Sequence, residues 1–311
     1  MSKDAFRLGD EFCRGLSGYE RPLVTLAHHD DEISTAGLVQ RLAPRVRVVW
    51  TTNSDGLYYE SALTPPEYSK VRVAESARAM ELLGVPAGHV ANLGFSEVEI
   101  YRRFAWLYAG RKSVAEVKPF FQEIRRSVRE AVFAARPDAV FTQAWQGGQP
   151  EHDLTHFFTR LAVRDYRRET GEEVPFFHLP AYEYTVAIAF RFHPLYRGTR
   201  MRFRLTPAEL ETKLGLTGVF GSQALGFAKF RKVVNAVAPL GLPFGGPRSL
   251  EQLMSVEELG PVPEDLDYTR KPHRWDALTY MFDDFEGTRV TFVRSVRPIV
   301  QAFLQDSAEA R

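Results

Sequence analysis

Short apolar runs alternate with longer amphipathic stretches between residue 22 and about residue 181. Four of the runs predict β-strands: PLVTLA (22–27), VRVVWTT (46–52), HVANLGF (89–95) and AVFTQ (139–143). Three stretches repeat apolar positions at helical spacing: STAGLVQRLAP (34–44), KVRVAESARAMELLGV (70–85) and a segment from about Val114 to Ala135. Strands and helices that alternate in this order form parallel sheets with crossover helices. The pattern therefore predicts an α/β protein with a mostly parallel sheet and flanking helices.

The alternation weakens beyond about residue 182. Pro- and Gly-rich segments there indicate loops, followed by a closing hairpin or strand and a terminal helix in SVRPIVQAFL. We expect a core in residues 1–182 and a loop-rich extension, 183–311, that completes this core and shapes the substrate pocket. Within the extension, one helical face carries Phe230, Val233, Val234 and Val237. Such a face usually packs on a core; the alternative is a flexible lid or a surface that admits an acyl or lipid tail.

Composition indicates a small-molecule partner. The chain has 311 residues, of which 44% are hydrophobic and 25% charged, enough for a sizeable core. Forty basic and thirty-nine acidic side chains leave a net charge of +1, so no overall field attracts nucleic acid or an anionic membrane. We therefore predict no nucleic-acid partner. The oligomeric state does not follow from the sequence.

Cysteine usage and the apolar segments predict a cytoplasmic protein. Cys13 is the single cysteine, and MSKDAFRLGDEF lacks the unbroken apolar stretch of a secretory signal. The longest apolar-rich stretch, VVNAVAPLGLPFGG, contains Pro239 and Pro243 and is shorter than the roughly 20 residues that span a bilayer. We therefore expect no membrane-spanning helix.

Charge is concentrated directly after the first predicted strand, in LAHHDDEISTAG (26–37). Ligands of α/β sheets bind beyond the carboxyl ends of the strands, where this segment begins. His28 and Asp31 are three positions apart, so in a helical turn they project to one side and could hold one metal ion. Asp30 points elsewhere and is placed to act as a base. The alternative is that Asp30 and Asp31 cap a helix and that the histidines are solvated.

A second polar cluster, QGGQPEHDLTH (146–156), follows the AVFTQ strand and opens a helix. His152 would complete a His/Asp/His set with one position left for water, as catalytic zinc sites require. Zinc lowers the pKa of its bound water to about 7, and Asp30 would take that proton, which predicts amide hydrolysis. Alternatively the cluster is a polar helix start capped by Asp153, and His156 orients the site or packs. Because both clusters lie at strand ends, we favour a cation site.

The residues of both clusters resemble motifs of the PIG-L/LmbE family of metal-dependent de-N-acetylases. The family's A-H-P-D-D-E motif is similar to Ala27–Glu32, and its H-P-D-H motif is similar to residues 149–152. Four further segments match family patterns in the same order: TTNSDG (51–56), KVRVAESARAMELLGV (70–85), NLGFSE (92–97) and RPDAVFTQ (136–143). A weaker match covers AELETKLGLTGVFGSQ (208–223). The stronger matches extend over roughly residues 22–182, more than half of the chain.

This resemblance implies a Rossmann-like fold, one divalent ion and hydrolysis of an N-acyl group, commonly the N-acetyl group of an amino sugar or sugar conjugate. By position, His28, Asp31 and His152 would bind the ion, and Asp30 would be the general base that later protonates the amine. Two further residues, Arg72 and Glu97, align with family positions that contact the sugar. The donor set suits zinc, although iron, cobalt or manganese remain alternatives.

Three residues depart from the family motifs. His29 replaces a proline, either as a tolerated surface substitution or as an added ligand or donor. Gln149 replaces a histidine that is thought to stabilise the developing oxyanion; its amide still donates a hydrogen bond but moves no proton. Glu151 replaces the aspartate that orients that histidine. The activity could therefore be weakened, and the alternative function is a sugar- or metabolite-binding protein that has lost turnover.

Three further polar residues are weaker candidates for the site. Asp55 either supports the NSDG turn or holds the substrate or a neighbouring site residue. Ser222 and Gln223 could contact substrate, although a polar turn explains them as well. A nucleotide-binding protein is disfavoured because no G-x-G-x-x-G follows the first strand.

Overall fold

The computed structural model describes residues 3–181, 190–193, 196–237, 249–270 and 280–309. Its main strands are β1 (Pro22–Leu26), β2 (Arg47–Thr52), β3 (Val90–Phe95), β4 (Ala139–Gln143), β5 (Phe176–Leu179), β6 (Met201–Arg204) and β7 (Val256–Pro261). Within the described residues these seven form one sheet in the order β3-β2-β1-β4-β5-β7-β6. Strands β1 to β5 run parallel, whereas β7 lies antiparallel to β5 and β6. The predicted α/β class with a mostly parallel sheet is confirmed.

Helices flank this sheet. They are α1 (Lys3–Gly15), α2 (Ala36–Leu42), α3 (Pro65–Leu82), α4 (Glu97–Tyr108), α5 (Val114–Ala135), α6 (Pro150–Thr170), α7 (Pro207–Val219), α8 (Ala224–Val237), α9 (Leu250–Met254) and α10 (Arg297–Glu309). A short hairpin, β8 (Asp284–Phe285) and β9 (Thr288–Arg289), precedes the last helix, as the sequence predicted. Among the described residues, none of the helices is both long and apolar enough to cross a membrane.

Local sequence explains the helix boundaries next to the site. Helix α5 occupies the predicted segment because Ser113 and Glu116 cap each other's backbone N–H groups, and it ends where Arg136 turns left-handed. The sequence placed the start of the next helix near Asp153, but helix α6 begins at Pro150, because proline fits the first helical position. Asp153 therefore does not cap this helix. Its carboxylate instead accepts the N–H groups of Gln146 and Gly147 in the preceding loop.

Two apolar cores lie on opposite faces of the sheet. Neighbouring residues of a strand point to opposite faces, so Leu23 and Val140 join one core while Val24 and Phe141 join the other. The first core packs against helices α4, α5, α6 and α10, and the second against α2, α3 and α7. Strands β1 and β4 are buried along their whole length between these cores, and the loops that follow them begin at this packed edge.

The segment beyond residue 182 contributes β6 and β7 to the same sheet. Two segments were predicted as loops. APLGLPFGGP (238–247) lies outside the described residues, whereas the loop predicted for TGVFGSQALGFAKF (217–230) is wrong, because this segment contains the end of α7, a 3₁₀ turn and the start of α8. The prediction that the apolar face of α8 packs on the core is only partly correct. Val234 is buried, but Phe230 is half-buried and Val233 is 42% exposed. The apolar face of α8 is therefore not fully covered by the core.

Candidate metal centre

Both charged clusters meet at one edge of the sheet. Strands β1 and β4 are hydrogen-bonded neighbours that run parallel, with Pro22 opposite Ala139 and Thr25 opposite Thr142. Their carboxyl ends therefore lie side by side, and the loop after each strand enters the same space. This register brings His28 and His152 into contact although they are 124 positions apart in the sequence.

Potential ligand atoms of three residues converge between these loops. His28 Nδ1 lies 3.0 Å from His152 Nε2, Asp31 Oδ1 lies 3.1 Å from His152 Nε2, and Asp31 Oδ2 lies 3.5 Å from His28 Nδ1. A tetrahedral zinc ion with bonds of about 2.0–2.2 Å separates its ligand atoms by about 3.4 Å. The His/Asp/His group therefore fits one divalent ion.

The protonation states of this group also suit a cation. Burial lowers the pKa of His28 to about 3, which keeps the ring neutral and its nitrogen lone pair free. Burial acts to raise the pKa of Asp31, but the adjacent His152 and the His28 N–H outweigh it and lower that pKa overall. The Asp31 carboxylate accepts this backbone N–H at 2.6 Å, which fixes its orientation. The sequence predicted these three residues as a ligand set, and the fold places them together.

Asp30 occupies a strained position beside this group. Its φ of 138° is rare for a residue with a side chain, and such backbone strain concentrates at functional sites. The carboxylate forms an ion pair with Arg72 at 3.0 Å. Burial raises the pKa of Asp30 to about 6, against the opposing effect of the Arg72 charge. A carboxylate with this pKa is ionised at neutral pH yet basic enough to accept a proton.

Arg72 was expected, from the family resemblance, at a sugar-contacting position. It is 2% exposed and donates to the carbonyl oxygen of His29 and to the Ser222 hydroxyl. It also lines the cavity that contains Asp30. Arg72 thus joins helix α3 to the Asp30 loop and to the turn before α8, at the border of the cavity.

The opposite side of the His28 ring faces two glutamates. His28 Nε2 lies 3.7 Å from Glu97 Oε1 and 3.9 Å from Glu151 Oε2. Burial raises the pKa of Glu97 to about 8, with a further contribution from the negative charge of Asp55, and it raises the pKa of Glu151 well above its usual range. Both line the cavity. These three residues form a second group that could hold a cation, sharing His28 with the first.

The remaining predicted residues lie in different surroundings. Gln149 is buried at the start of α6 and lines the cavity, and no described donor reaches its Oε1 atom. Asp55 accepts hydrogen bonds from the Ser96 hydroxyl and the Val98 N–H, so its carboxylate fixes the first turn of α4. The prediction that His29 lies on the surface is wrong. Its ring is 1% exposed and stacks on Trp50 at 4.8 Å between centroids.

Of the two alternatives for His156, the structure supports packing in the interior. Its Nδ1 atom lies 2.7 Å from the Gln143 carbonyl oxygen, and its Nε2 atom lies 3.0 Å from the Tyr268 hydroxyl. The neighbouring Gln143 was not predicted, although its side chain accepts the Ala27 N–H and approaches His152 Nε2 at 3.0 Å. Gln143 could have been identified from the sequence as a polar residue at the end of an otherwise apolar strand.

Glu32 is a second residue whose role the sequence did not indicate. It is fully buried and accepts hydrogen bonds from the Ser76 hydroxyl, the Trp50 indole and the Asp30 N–H. The last of these bonds supports the strained backbone of Asp30. The only feature of the sequence that marked Glu32 was its place as the last acid of the HHDDE run (28–32).

A cavity of about 900 Å³ contains this site. His28, Asp30 and Asp31 line one part of it, together with Arg72 and Glu97. The cavity beside these residues is therefore large enough for a ligand considerably larger than water.

Comparison with known proteins agrees with the motifs. Residues 23–163 match the family model described as GlcNAc-PI de-N-acetylase, PIG-L. No curated protein matches the chain.

Several solved structures share its fold. A deacetylase–bog complex from the teicoplanin biosynthesis pathway has a TM-score of 0.56 at 20% identity, covering 79% of this chain and 100% of that one. The A40926 pseudoaglycone deacetylase Dbv21 has a TM-score of 0.52 at 21% identity, covering 80% and 99%. The zinc-inhibited form of teicoplanin deacetylase Orf2 has a TM-score of 0.56 at 18% identity, covering 79% and 100%. Residues 23–163 thus match the PIG-L (GlcNAc-PI de-N-acetylase) family model, and the fold is the one seen in these deacetylases.

Proposed function

We propose that this protein is a metal-dependent hydrolase that removes an N-acyl group, most simply an N-acetyl group, from an amino sugar or sugar conjugate. The observation that carries the proposal is the convergence of His28, Asp31 and His152 within 3.5 Å, in a cavity that Asp30 also lines. The family match over residues 23–163 and the fold shared with teicoplanin and pseudoaglycone deacetylases support the same chemistry.

In this proposal His28, Asp31 and His152 hold one divalent ion, for which we favour zinc because of the two neutral nitrogens and one carboxylate. When bound, the ion supplies a Lewis acid that polarises the amide carbonyl and acidifies water. Asp30 removes the proton of the attacking water and later delivers it to the leaving amine. Arg72 holds the Asp30 carboxylate in place through the 3.0 Å ion pair.

Gln149 has a separate role in the proposal. It lines the cavity at the start of α6, and its amide can donate a hydrogen bond to the carbonyl oxygen as negative charge develops there. It cannot transfer a proton, so Asp30 carries both proton transfers in this chain. The ligand set and Asp30 stand together at one site, and no described feature favours the binding-protein alternative.

The test is acetate release from a panel of N-acetyl amino sugars and their glycosides. We expect the zinc-loaded protein to release acetate, and the protein stripped of metal by chelation to release none until zinc is restored. His152→Ala should bind no stoichiometric zinc and be inactive, because it removes one of three ligands. His89→Ala, at the amino end of β3 on the opposite edge of the sheet, should retain zinc and activity. Equal activity in the stripped protein, or zinc retained by His152→Ala, would refute the proposal.

A further inference from the structure

Two opposite charges are buried together next to helix α2, outside the cavity. Lys213 of α7 is 1% exposed and Glu257 of β7 is 2% exposed, and Lys213 Nζ lies 2.6 Å from Glu257 Oε1. Neither residue lines the cavity. Removing two charges from water is costly, so a buried ion pair is by itself weak evidence for stability. The contacts that the pair makes with the rest of the chain indicate a different role.

Glu257 supplies the cap that helix α2 lacks locally. The first N–H groups of a helix have no partner within it, and Thr35, the residue before α2, makes no side-chain capping bond. Instead, Glu257 Oε1 accepts the Gly37 N–H at 2.7 Å, and Oε2 accepts the Leu38 N–H at 2.8 Å. A Cβ atom at position 37 would lie 3.1 Å from Glu257 Oε1, so glycine gives the carboxylate room. The first turn of α2 is therefore fixed by a residue 220 positions after Gly37.

Lys213 connects this cap to the loop of the metal centre. Its Nζ atom also donates to the carbonyl oxygen of Ser34 at 3.3 Å. Ser34 in turn donates from its N–H and from its hydroxyl to the carbonyl oxygen of Asp31, at 2.9 and 2.6 Å. Asp31 belongs to the His/Asp/His group. A continuous series of hydrogen bonds therefore joins the buried pair to one residue of the ligand group.

We propose that Lys213 and Glu257 are positioning residues of the metal centre. Glu257 fixes where α2 begins, Lys213 balances the charge of that carboxylate, and through Ser34 the pair sets the position of Asp31. This inference rests on the proposed function, because the pair acts on the centre only if Asp31 is a ligand. Neither residue contacts the ion or the substrate.

Metal binding by purified variants tests this role without turnover. Lys213→Met keeps nearly the length of the side chain but leaves Glu257 without its counter-charge. Replacing residues that orient metal ligands commonly costs about 10- to 100-fold in metal affinity. Because the pair acts through Ser34, we expect zinc to bind about tenfold more weakly, as measured by competition with a chromophoric chelator. The visible absorption spectrum of the cobalt-loaded variant should also change, since it reports the arrangement of ligands around the ion.

A double variant keeps the test usable if Lys213→Met alone does not fold. Lys213→Met combined with Glu257→Gln removes both charges, so no unpaired charge remains in the interior. Its amide has a single oxygen and cannot accept the Gly37 and Leu38 N–H groups as two carboxylate oxygens do. The double variant should therefore show the same loss of zinc affinity and the same change in the cobalt spectrum.

Glu258→Gln is the matched control. Glu258 is the next residue of β7 and is also 2% exposed; it pairs with Arg202 at 3.0 Å and accepts the Phe192 N–H at 3.1 Å. Successive strand residues point to opposite faces, so its loss should lower Tm but leave zinc affinity and the cobalt spectrum unchanged.

Two results would overturn the inference. One is a zinc affinity and cobalt spectrum like those of the parent in the Lys213 variants. The other is an equal change of both in Glu258→Gln at a similar loss of Tm, which would make the effect one of general destabilisation. In either case, zinc binding and acetate release by the parent protein would leave the proposed function standing without this positioning role.

Discussion

Two pairs of acids lie at the metal centre, and they differ in the groups they face. Asp30 and Asp31 follow β1 in one loop, and each faces a partner: Arg72 lies 3.0 Å from Asp30, and His152 lies 3.1 Å from Asp31. Glu97 and Glu151 begin two separate helices. Among the described residues, the only potential ion-pair partner within 4 Å of either glutamate is His28, at 3.7 and 3.9 Å.

This difference decides where protons reside. Burial acts to raise all four pKa values, because a carboxylate loses its hydration in the interior. The charge of Arg72 limits the rise in the pKa of Asp30, which reaches about 6, and interactions with His152 and His28, hydrogen bonds among them, bring the pKa of Asp31 below its usual range. The pKa of Glu97 instead rises to about 8, and Glu151 is raised further from its usual range. At neutral pH the first pair is ionised and can supply a ligand and a base, while the second pair retains protons.

The largest effect we predict concerns the first pair. Asp30→Asn keeps the shape of the side chain but removes the proton acceptor, so kcat should fall by roughly 10²- to 10⁴-fold. Zinc content, measured by atomic absorption, should stay close to one ion per chain because Asp30 is not in the ligand group. Asp165→Asn serves as the control, since Asp165 is also a buried aspartate paired with an arginine but lies on the outer part of α6. Loss of zinc in Asp30→Asn would instead make Asp30 a ligand.

Some features of the metal centre could be predicted from the sequence, namely those that depend on residues close together in the chain. Strand ends follow from apolar runs, and ligands spaced within one turn, such as His28 and Asp31, follow from helical geometry. That the loops after β1 and β4 lie close together was a less direct inference. It came from the rule that ligands bind beyond the carboxyl ends of the strands in an α/β sheet.

Features that arise from contacts between distant segments were not predictable in this way. The burial of His29 depends on Trp50 in the next strand. The support of Asp30 depends on Arg72 of α3 and on Glu32, whose carboxylate is in turn held by Trp50 and Ser76. The open face of α8 depends on what packs against that helix, which a helical pattern alone does not encode. Apolar positions are the same whether they face a core or a cavity.

A smaller effect should follow from changing the second pair. If Glu151 is protonated, an amide is close to it in shape and charge, so Glu151→Gln should change kcat by less than about tenfold at neutral pH, or about 1.4 kcal/mol. Zinc should be retained. The comparison with Asp30→Asn, measured under the same conditions, is the informative one. A loss of activity as large as that of Asp30→Asn would mean that Glu151 acts as an ionised base, and the contrast between the two pairs would fail.

The smallest effect concerns stability rather than turnover, and it tests the second pair in the metal-free protein. Glu97 has a folded pKa of about 8 against an ordinary value of 4.5, so the folded protein binds the proton more tightly than the unfolded chain. Stability therefore falls as pH rises through this window, because ionisation of Glu97 is opposed only in the folded state. Glu97→Gln has no carboxyl group to ionise. Between about pH 6 and pH 9, its Tm in scanning calorimetry should fall less than that of the parent protein.

The control for this measurement is Glu99→Gln, on the same helix but partly exposed and paired with Arg102 and Arg103. It removes a carboxylate without removing a buried one, so its Tm should follow the parent across the same pH range. If Glu97→Gln also follows the parent, Glu97 is ionised in the folded protein throughout. Its charge would then need a cation to face it, and the second group of potential ligands around His28 would become the place to look for that cation.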